Sequence, residues 1–435
     1  MRVLDKTHDP ELRSWVEGTE PGTDFPIQNL PFGRVRSKSH NSARVGVAIG
    51  HSVLDLHDLA ASGILGEVVE DALSTCAASD LKDLMALPPE IIREVRGKLS
   101  SALEKGSAAR VKAEPCLVPR SDVTLLLPTT PGNYTDFFAS IHHAQNAGRI
   151  RRPENPLLPN FHHIPVAYHG RASTIRVSGN DLRRPFGQVL KGEAALPVLE
   201  KTDKLDFECE LAVWIGRGNE PGDPIALASA SEHVFGLGLL NDWSARDIQT
   251  WETQPLGPFL SKNFLTTVSP WIVTMDALAP FRVPTAARAE SVPRLLPYLD
   301  CESNNANGGL DIRLSVQILT QKMRAAGERP VVISRPQFKH HYWTIFQMVA
   351  HHTINGCELL EGDILGTGTI SGPSRSELGC MLELNLCGKE RLPLPNGESR
   401  MWLEDGDEII LGAHCEKDGY VAIGFGEARA TVLSI

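Results

Sequence analysis

The chain has 435 residues, of which 42% are hydrophobic and 22% charged, and its formal net charge at pH 7 is -10. This length suits two domains with a large core, while the acidic balance excludes a nucleic acid or an anionic membrane surface as partner, because both require a basic face. No apolar run approaches the length of a membrane span, and the first ten residues lack the apolar stretch of a secretory signal.

Cysteine usage predicts reduced thiols in a cytoplasmic protein. No two cysteines are spaced as CxxC, so the sequence predicts neither a disulfide nor a zinc site. The eight cysteines are Cys76, Cys116, Cys209, Cys301, Cys357, Cys380, Cys387 and Cys415.

The N-terminal part of the chain predicts a small domain of its own. Residues 1 to about 55 are rich in turns and alternate in polarity, which favours short strands in a small β-barrel. From Leu54 to Leu103 the apolar period becomes helical, with a break at Pro88 and Pro89. The polar stretch 104–115 has linker composition. We therefore predict an N-terminal domain over 1–120, with barrel and helices, and a second domain over 121–435.

A strand at Val123–Pro128 and a helix over 134–147 should open the second domain. Asn133 or Thr135 would cap this helix and Gly148 would end it. Asp136 and His143 are seven residues apart, so on a helix they would lie about 20° out of line and roughly 10 Å apart, where both could serve one cavity. A lone helical histidine is more often structural, and His142 is the candidate for that role.

The loop-rich stretch 151–185 has the length of a functional loop.

Two acidic side chains alternate along the predicted strand that follows this loop. Residues 205–216 follow with a period of two, which places Glu208 and Glu210 about 7 Å apart on one face. Two such carboxylates repel unless a cation lies between them, so either a metal site or a solvated sheet face explains them. Trp214 continues the same face and argues against full exposure.

The segment 241–262 concentrates acids, bases and an amide around two tryptophans. If Asp242 opens a helix, then Arg246 and Gln249 project from the same face. Lys262 follows a Pro-Leu-Gly-Pro loop that can turn it back toward them. A metal-binding carboxylate beside two cations and an amide suits an enzyme that stabilises an oxyanion near a metal. The alternative is a surface helix with an Asp/Arg pair.

The C-terminal part supplies further sheet elements and one isolated acid. We predict strands at 271–275, 312–320 and 380–386, and a helix over 343–355. The stretch 366–372 is glycine-rich but lacks the spacing of a P-loop or dinucleotide motif, so it predicts a tight loop that offers N–H groups and a hydroxyl. Glu383 lies within the third strand, where a carboxylate is costly without a partner.

At this point the chain resembles the fumarylacetoacetase family across both predicted domains. The matching segments are DFPIQNLPFG, YTDFFASIHHAQNAG, NPLLPN, YHGRAS, SGNDLRRPFGQ, NDWSARDIQ, PLGPFLSK, GTISGP and MLELNL. The resemblance implies an α+β, β-rich fold: a mixed β-sandwich roll catalytic domain behind the small N-terminal β-barrel domain, assembled as a homodimer. It implies metal-dependent hydrolysis of the carbon–carbon bond of 4-fumarylacetoacetate to fumarate and acetoacetate, the last step of tyrosine and phenylalanine catabolism.

The resemblance also implies roles for individual residues. The metal ligands fall on Asp136, Glu208, Glu210 and Asp242, an all-carboxylate set that suits Ca²⁺ or Mg²⁺. A second, magnesium-type site falls on Asp242, Lys262 and Thr266. His143 matches the base that activates water and Glu383 the acid that orients it. The oxyanion donors match Arg246, Gln249 and Lys262. The substrate contacts match Arg152, Tyr168, Gln249 and Thr369, together with positions 138 and 253.

Two departures from the family concern the substrate, a small diketo acid. Phe138 and Thr253 stand where the family commonly has tyrosine, and the region of Arg151 and Arg152 is one residue shorter than expected. The choice of substrate arginine therefore stays open between these two. Alternatives are a hydrolase, decarboxylase or isomerase that acts on a related acylpyruvate or β-keto acid, and a catalytically silent scaffold with the same fold.

Overall fold

The computed structural model describes residues 4–38, 42–76, 80–192 and 195–434, with the backbone alone described at 76, 150 and 151. Its strands are β1 (Phe32–Ser37), β2 (Arg44–Ile49), β3 (Ser52–Asp55), β4 (Leu117–Pro119), β5 (Val123–Leu126), β6 (Tyr134–Phe137), β7 (Ala167–His169), β8 (Ile175–Val177), β9 (Leu182–Arg183), β10 (Phe186–Val189), β11 (Val198–Lys201), β12 (Leu205–Asp206), β13 (Cys209–Ile215), β14 (Val234–Asp242), β15 (Ser244–Ala245), β16 (Thr266–Val268), β17 (Trp271–Thr274), β18 (Arg282–Val283), β19 (Gly309–Leu310), β20 (Arg313–Leu319), β21 (Val331–Ser334), β22 (Ile364–Gly366), β23 (Leu392–Pro393), β24 (Ser399–Arg400), β25 (Glu408–Cys415) and β26 (Ile423–Leu433).

Among the described residues the helices are fewer than the strands, in agreement with the β-rich prediction. They are α1 (Leu56–Ala60), α2 (Glu67–Cys76), α3 (Lys82–Met85), α4 (Pro89–Leu103), α5 (Arg110–Ala113), α6 (Ile141–Arg151), α7 (Ala230–His233), α8 (Arg246–Glu252), α9 (Glu302–Asn307), α10 (Gln321–Ala325), α11 (Ile345–Thr353) and α12 (Met381–Leu384). Within the described ranges, no helix is both long and apolar enough to cross a bilayer.

One large sheet crosses the predicted domain boundary. Its path runs β4-β3-β2-β1-β17-β14-β13-β22-β6-β7, and β5 pairs with β1. The antiparallel pairing of Phe32 with Ile272 joins β1 to β17, so the N-terminal strands continue into the rest of the sheet. The described strands form no closed barrel, because β4 and β5 pair with β3 and β1 and not with each other. The mixed α+β, sheet-rich class is confirmed, while the sandwich roll stays a prediction.

A second sheet of five strands, in the order β21-β20-β25-β26-β9, covers part of the first. Strand β13 lies between two apolar clusters because its alternation is apolar on both sides. Leu211 and Val213 pack into the cluster that includes β25 and β26, whereas Ala212 and Trp214 pack toward the N-terminal helices. The prediction that Trp214 is shielded is confirmed, since it is fully buried.

The N-terminal helices follow the predicted pattern, but the expected linker does not. Helix α4 begins at Pro89, the break that the sequence marked, because proline is tolerated in a first helical turn. The stretch 104–115 contains α5, and Ala113 within it is buried. This segment therefore packs against the domain and is not an open linker.

The helix predicted over 134–147 is wrong in its first half. Tyr134–Phe137 forms β6, which pairs in parallel with β22 and antiparallel with β7. The helix begins only at Ile141, where the Ser140 side chain accepts from the backbone N–H of His143. Two sheet neighbours thus override the helical pattern, and Asp136 and His143 do not share a helix face.

Two other local assignments are also wrong. Asp242 ends β14 and does not open a helix, because Ser244–Ala245 first pairs with β12 and α8 begins only at Arg246. The strand predicted over 380–386 is instead the short helix α12, which contains Glu383. The carboxylate of Asp206 accepts from the backbone N–H groups of Met381 and Leu382 at 2.7 and 3.0 Å, so a distant acid caps this helix.

Candidate active site

Three carboxylates from three strands of the large sheet lie close together. Asp136 lies on β6, Glu210 on β13 and Asp242 at the end of β14. One carboxylate oxygen of each lies within 4.8 Å of the others, and all three side chains are buried. This trio contains three of the four carboxylates that the resemblance assigned to metal binding.

The negative charge of the trio is not fully balanced by neighbouring hydrogen-bond donors and basic side chains. Oδ1 of Asp136 and Oε1 of Glu210 are buried without a hydrogen-bond partner among the described residues. Burial, together with the negative charge of Asp242, raises the pKa of Asp136 well above its ordinary value, and burial and Asp136 do the same to Glu210. Buried carboxylates with free oxygens are costly unless a cation or proton joins them.

The backbone opposite the trio leaves room for such a cation. Gly366 is the last residue of β22, and a Cβ there would lie 2.5 Å from Oδ1 of Asp136 and 3.1 Å from Oε2 of Glu210. The next turn contributes a donor, since the N–H of Gly368 donates to Oε2 of Glu210 at 2.9 Å. An all-oxygen set with unpaired atoms and this clearance fits a hard divalent cation such as Ca²⁺ or Mg²⁺.

Glu208 lies beside the trio but is bound to two basic side chains. Its Oε2 contacts the ammonium of Lys262, which also contacts Oδ2 of Asp242, and its Oε1 lies 2.8 Å from the guanidinium of Arg246. Burial alone would raise the pKa of Glu208, but Lys262 and Arg246 hold it well below the ordinary value. Glu208 therefore connects the basic side chains of Lys262 and Arg246 to the trio and does not add an unpaired oxygen.

Arg246 is fixed by an acid that sequence reasoning did not assign. Its Nε donates to Oδ2 of Asp206 at 2.8 Å, and a terminal nitrogen donates to Oε1 of Gln249 at 3.1 Å. Asp206 also caps α12, so it connects Arg246 to the helix that carries Glu383. The alternation of Asp206 with Glu208 and Glu210 was the signal that could have identified it.

His143 and Glu383, the pair that the family resemblance implied, lie in contact and are both buried, forming a dyad. Nδ1 of His143 lies 2.8 Å from Oε2 of Glu383. The Ser371 hydroxyl donates to the same oxygen at 2.7 Å, and the Asn146 amide donates to Oε1 at 2.8 Å. Burial raises the pKa of Glu383, but His143 and these hydrogen bonds lower it to a net value below the ordinary one. Glu383 is thus an ionised acceptor, and Nδ1 of His143 carries the proton between them.

Sequence reasoning missed Ser371 and Asn146. To identify these two residues, one must know that the loop after β22 and the middle of α6 both face α12. Cys380, which it read as an ordinary thiol, also lies here, and its Sγ donates to Oε2 of Glu383 at 3.2 Å.

The predicted substrate-contacting residues divide into two groups. The hydroxyl of Tyr168 donates to Oδ2 of Asp242 at 3.2 Å, and the buried hydroxyl of Thr369 lacks a partner among the described residues. The ring of Phe138 packs edge-on against His143 with centroids 5.3 Å apart. These three lie beside the dyad or the trio.

The remaining predicted residues are less directly placed. The hydroxyl of Thr253 donates to the backbone carbonyl of Gln249 at the end of α8, and Arg152 is exposed and donates to the carbonyl of Pro156 at 3.1 Å. The side chain of Arg151 falls outside the described residues, so the choice between the two arginines stays a prediction. Thr266 is buried and pairs with Asp242 across β14 and β16.

A cavity of about 520 Å³ lies against β6 but is lined by none of the predicted site residues. Its walls include Thr135, His169 and His352. Side-chain chemistry, not cavity size, therefore identifies the candidate site, because the unpaired carboxylates and the dyad lie elsewhere.

The chain is similar to known proteins over nearly its whole length. Residues 133–433 match the family model described as fumarylacetoacetate (FAA) hydrolase C-terminal, and residues 28–128 match fumarylacetoacetase N-terminal. The chain is 46% identical to a fumarylacetoacetase of Oryza sativa subsp. japonica, over 97% of each chain. It is 44% identical to those of Bos taurus and Homo sapiens, over 94% of this chain and 96% of each relative. A fumarylacetoacetate hydrolase structure from Exiguobacterium antarcticum aligns with a TM-score of 0.49 at 18% identity, over 93% of this chain and 100% of that one.

Proposed function

The chain belongs to the fumarylacetoacetase family of hydrolases, and on that premise we propose that it hydrolyses 4-fumarylacetoacetate to fumarate and acetoacetate with the side chains described above. The observation that carries this proposal is the buried His143–Glu383 pair, in which a histidine with an anchored Nδ1–H stands beside a charged, polar site. Such a pair is what the activation of water requires.

His143 acts through its second ring nitrogen. Since Nδ1 donates to Glu383, Nε2 is the nitrogen that accepts a proton from water. The resulting hydroxide adds to one carbonyl carbon of the diketone, and the tetrahedral adduct expels the other half as an enolate when the carbon–carbon bond breaks. The proton on Nε2 then returns to the enolate carbon, which completes both products and regenerates the base. Glu383 stabilises the charged imidazole between these two steps.

The adduct and the enolate are anions, and Arg246 and Lys262 provide the nearest positive charge. Both are buried and held by acids on either side, so they need little rearrangement when the charge develops. Burial lowers the pKa of Lys262, but the surrounding acids raise it by more. The net pKa lies above its ordinary value, so Lys262 stays charged. Gln249, hydrogen-bonded to Arg246, adds an amide donor.

We propose that a divalent ion, Ca²⁺ or Mg²⁺, is held by Asp136, Glu210 and Asp242, with Glu208 as the fourth carboxylate. When bound, it supplies Lewis-acid stabilisation of the diketone and its enolate. The second, magnesium-type site proposed on Asp242, Lys262 and Thr266 is supported by the pairing of Asp242 with Thr266 and by the contact of Lys262 with Asp242.

We also propose a homodimer. Large apolar side chains are exposed over one region next to α8: Trp251, Leu256 and Phe259 are 42%, 95% and 68% exposed. Phe186 and Leu199 on the β10–β11 pair are 56% and 73% exposed, and Trp251 donates to Gln188 of β10, so the two groups adjoin. A patch of this kind supports a subunit interface.

The division near residue 120 is a further proposal, supported by the two family models, which meet between residues 128 and 133.

The decisive experiment is product analysis with the purified chain. Incubated with 4-fumarylacetoacetate and separately with acylpyruvates, it should release fumarate and acetoacetate most rapidly from the first. Carbon dioxide as a product would indicate a decarboxylase, and an unbroken carbon skeleton would indicate an isomerase. A chelator should abolish turnover, and the Glu210→Gln variant should lose metal dependence together with activity. Full activity of that variant after metal removal would overturn the proposed metal site.

A further inference from the structure

We propose that His143, Cys380 and Glu383 form a further metal site, which takes a thiophilic divalent ion such as Zn²⁺ or Cd²⁺ and is distinct from the carboxylate trio and from the magnesium-type site beside it. The three residues come from α6, the residue before α12, and α12 itself. All three are buried, and one ligand atom of each lies within 4.8 Å of the other two. The absence of a CxxC pair had predicted no zinc site, because the sequence does not show that His143 lies beside Cys380.

The separations of the three ligand atoms fit a tetrahedral ion. Nδ1 of His143 is 2.8 Å from Oε2 of Glu383, Sγ of Cys380 is 3.2 Å from that oxygen, and Sγ is 3.9 Å from Nδ1. With zinc bonds of about 2.3 Å to sulfur and about 2.0 Å to nitrogen and oxygen, the edges of a tetrahedron are about 3.3 to 3.6 Å. Each pair therefore needs to move by roughly half an ångström or less to share one ion.

The donor set separates this site chemically from the trio. Asp136, Glu210 and Asp242 offer oxygen alone, which suits hard cations, whereas nitrogen, sulfur and one carboxylate oxygen suit zinc and cadmium. The carboxylate is also held in place, since Asn146 binds Oε1 of Glu383 and Ser371 binds Oε2. Such outer contacts orient a ligand for metal binding. A water molecule can complete the tetrahedron.

Occupation of this site has a defined effect on protons. The ion takes the lone pair of Nδ1, so the single proton of the neutral ring resides on Nε2, and the thiol of Cys380 releases its proton to solvent. Nε2 can then no longer accept a proton from water. Metal binding itself does not depend on the proposed function, but the resulting loss of turnover does, because it assumes that Nε2 of His143 is the base.

The test uses the full chain loaded with Ca²⁺ or Mg²⁺ so that the trio is saturated. Titration with Cd²⁺ should produce the ultraviolet charge-transfer absorption of a cadmium–thiolate bond with one ion per chain. The band should disappear in Cys380→Ser and in Cys380→Ala, each checked for native circular dichroism. It should persist in the control Cys387→Ser, which alters a half-buried thiol in the same segment.

Zinc should also inhibit the hydrolysis, and the kinetic constants should show how. We expect kcat to fall with KM little changed, because substrate binding does not use Nδ1. The Zn²⁺ concentration for half-inhibition, measured against each protein's own activity, should rise at least about 10-fold in Cys380→Ser, since loss of a metal-site contact typically costs 10- to 100-fold in affinity. No cadmium–thiolate band, or a band that survives in both Cys380 variants, would overturn the site. A band without inhibition would support the site and overturn the role of His143 as base.

Discussion

Gly366 faces Asp136 across the parallel pairing of β22 and β6, and a Cβ at Gly366 would lie 2.5 Å from Oδ1 of that aspartate. The same Cβ would lie 3.1 Å from Oε2 of Glu210. A missing side chain on one strand therefore preserves the space between carboxylates on the two strands that flank it. If this space holds a cation, the glycine is as necessary as the ligands.

We expect Gly366→Ala to fold but to lose most of its affinity for Ca²⁺ and Mg²⁺. The added methyl group occupies the volume between Asp136 and Glu210, and displacing a ligand typically costs at least about 10-fold in metal affinity. Calorimetric titration of the metal-free protein measures this. The control is Gly97→Ala, because a Cβ at that helical position meets no atom within 4 Å. Unaltered metal affinity in Gly366→Ala would place the cation elsewhere.

His143→Asn should lower kcat by about 10² or more while leaving metal content and folding unchanged, because it removes the proton acceptor but not a ligand of the trio. The matched control is His142→Asn, since the neighbouring ring packs against His340 with centroids 6.3 Å apart. The acidic limb of the pH profile of kcat/KM should disappear only in His143→Asn. Equal losses at the two positions would mean that another group activates water.

The paired change Phe138→Tyr and Thr253→Tyr should lower KM for 4-fumarylacetoacetate. Phe138 is 36% exposed and packs against His143, so a hydroxyl on its ring can reach a bound substrate. A hydrogen bond to a charged group is worth about 1.5 to 3 kcal/mol, or roughly 10- to 150-fold. Steady-state kinetics with this substrate and an acylpyruvate measure the change. Phe186→Tyr, on an exposed strand away from the dyad, is the control and should leave KM unchanged. A double variant that prefers the acylpyruvate throughout would indicate a different natural substrate.

His341 should make the protein sensitive to acid. Burial lowers its pKa to about 3, even though Nε2 lies 3.0 Å from the carbonyl of Thr367. The unfolded chain takes up a proton near pH 6.5 and the folded protein does not, so this stability is present above pH 6.5 and is lost as pH falls toward 3. The loss is at most about 1.4 kcal/mol per pH unit.

Urea denaturation midpoints at pH 7.5 and pH 5 measure this effect. The difference between the two midpoints should shrink in His341→Gln, which cannot take up the proton. It should stay as in the parent chain in His340→Gln, whose ring is only half-buried. An unchanged pH dependence in His341→Gln would assign the acid sensitivity to other groups.

Residue chemistry and strand periodicity were readable without the fold. The period of two in 205–216 correctly predicted extended structure, since alternation is a local property. The predicted strand is interrupted, however, because β12 ends at Asp206, β13 begins at Cys209, and Glu208 lies between them. The isolated acid in an apolar segment correctly indicated that Glu383 needs a partner, because an unpaired buried carboxylate is costly anywhere in a protein. The identity of that partner, His143, came from the family resemblance and not from the spacing.

The tertiary structure decided the local conformation around almost every functional residue. Tyr134–Phe137 is a strand because β22 and β7 supply its hydrogen bonds, and 381–384 is a helix because Asp206, 175 residues earlier, accepts from its first N–H groups. Segments of four residues have too little intrinsic preference to resist such partners. The clearance at Gly366 and the position of Cys380 beside His143 depend in turn on those pairings. Sequence alone therefore determined which side chains are present and on which face of a strand they lie, whereas long-range hydrogen bonds decided which of them meet.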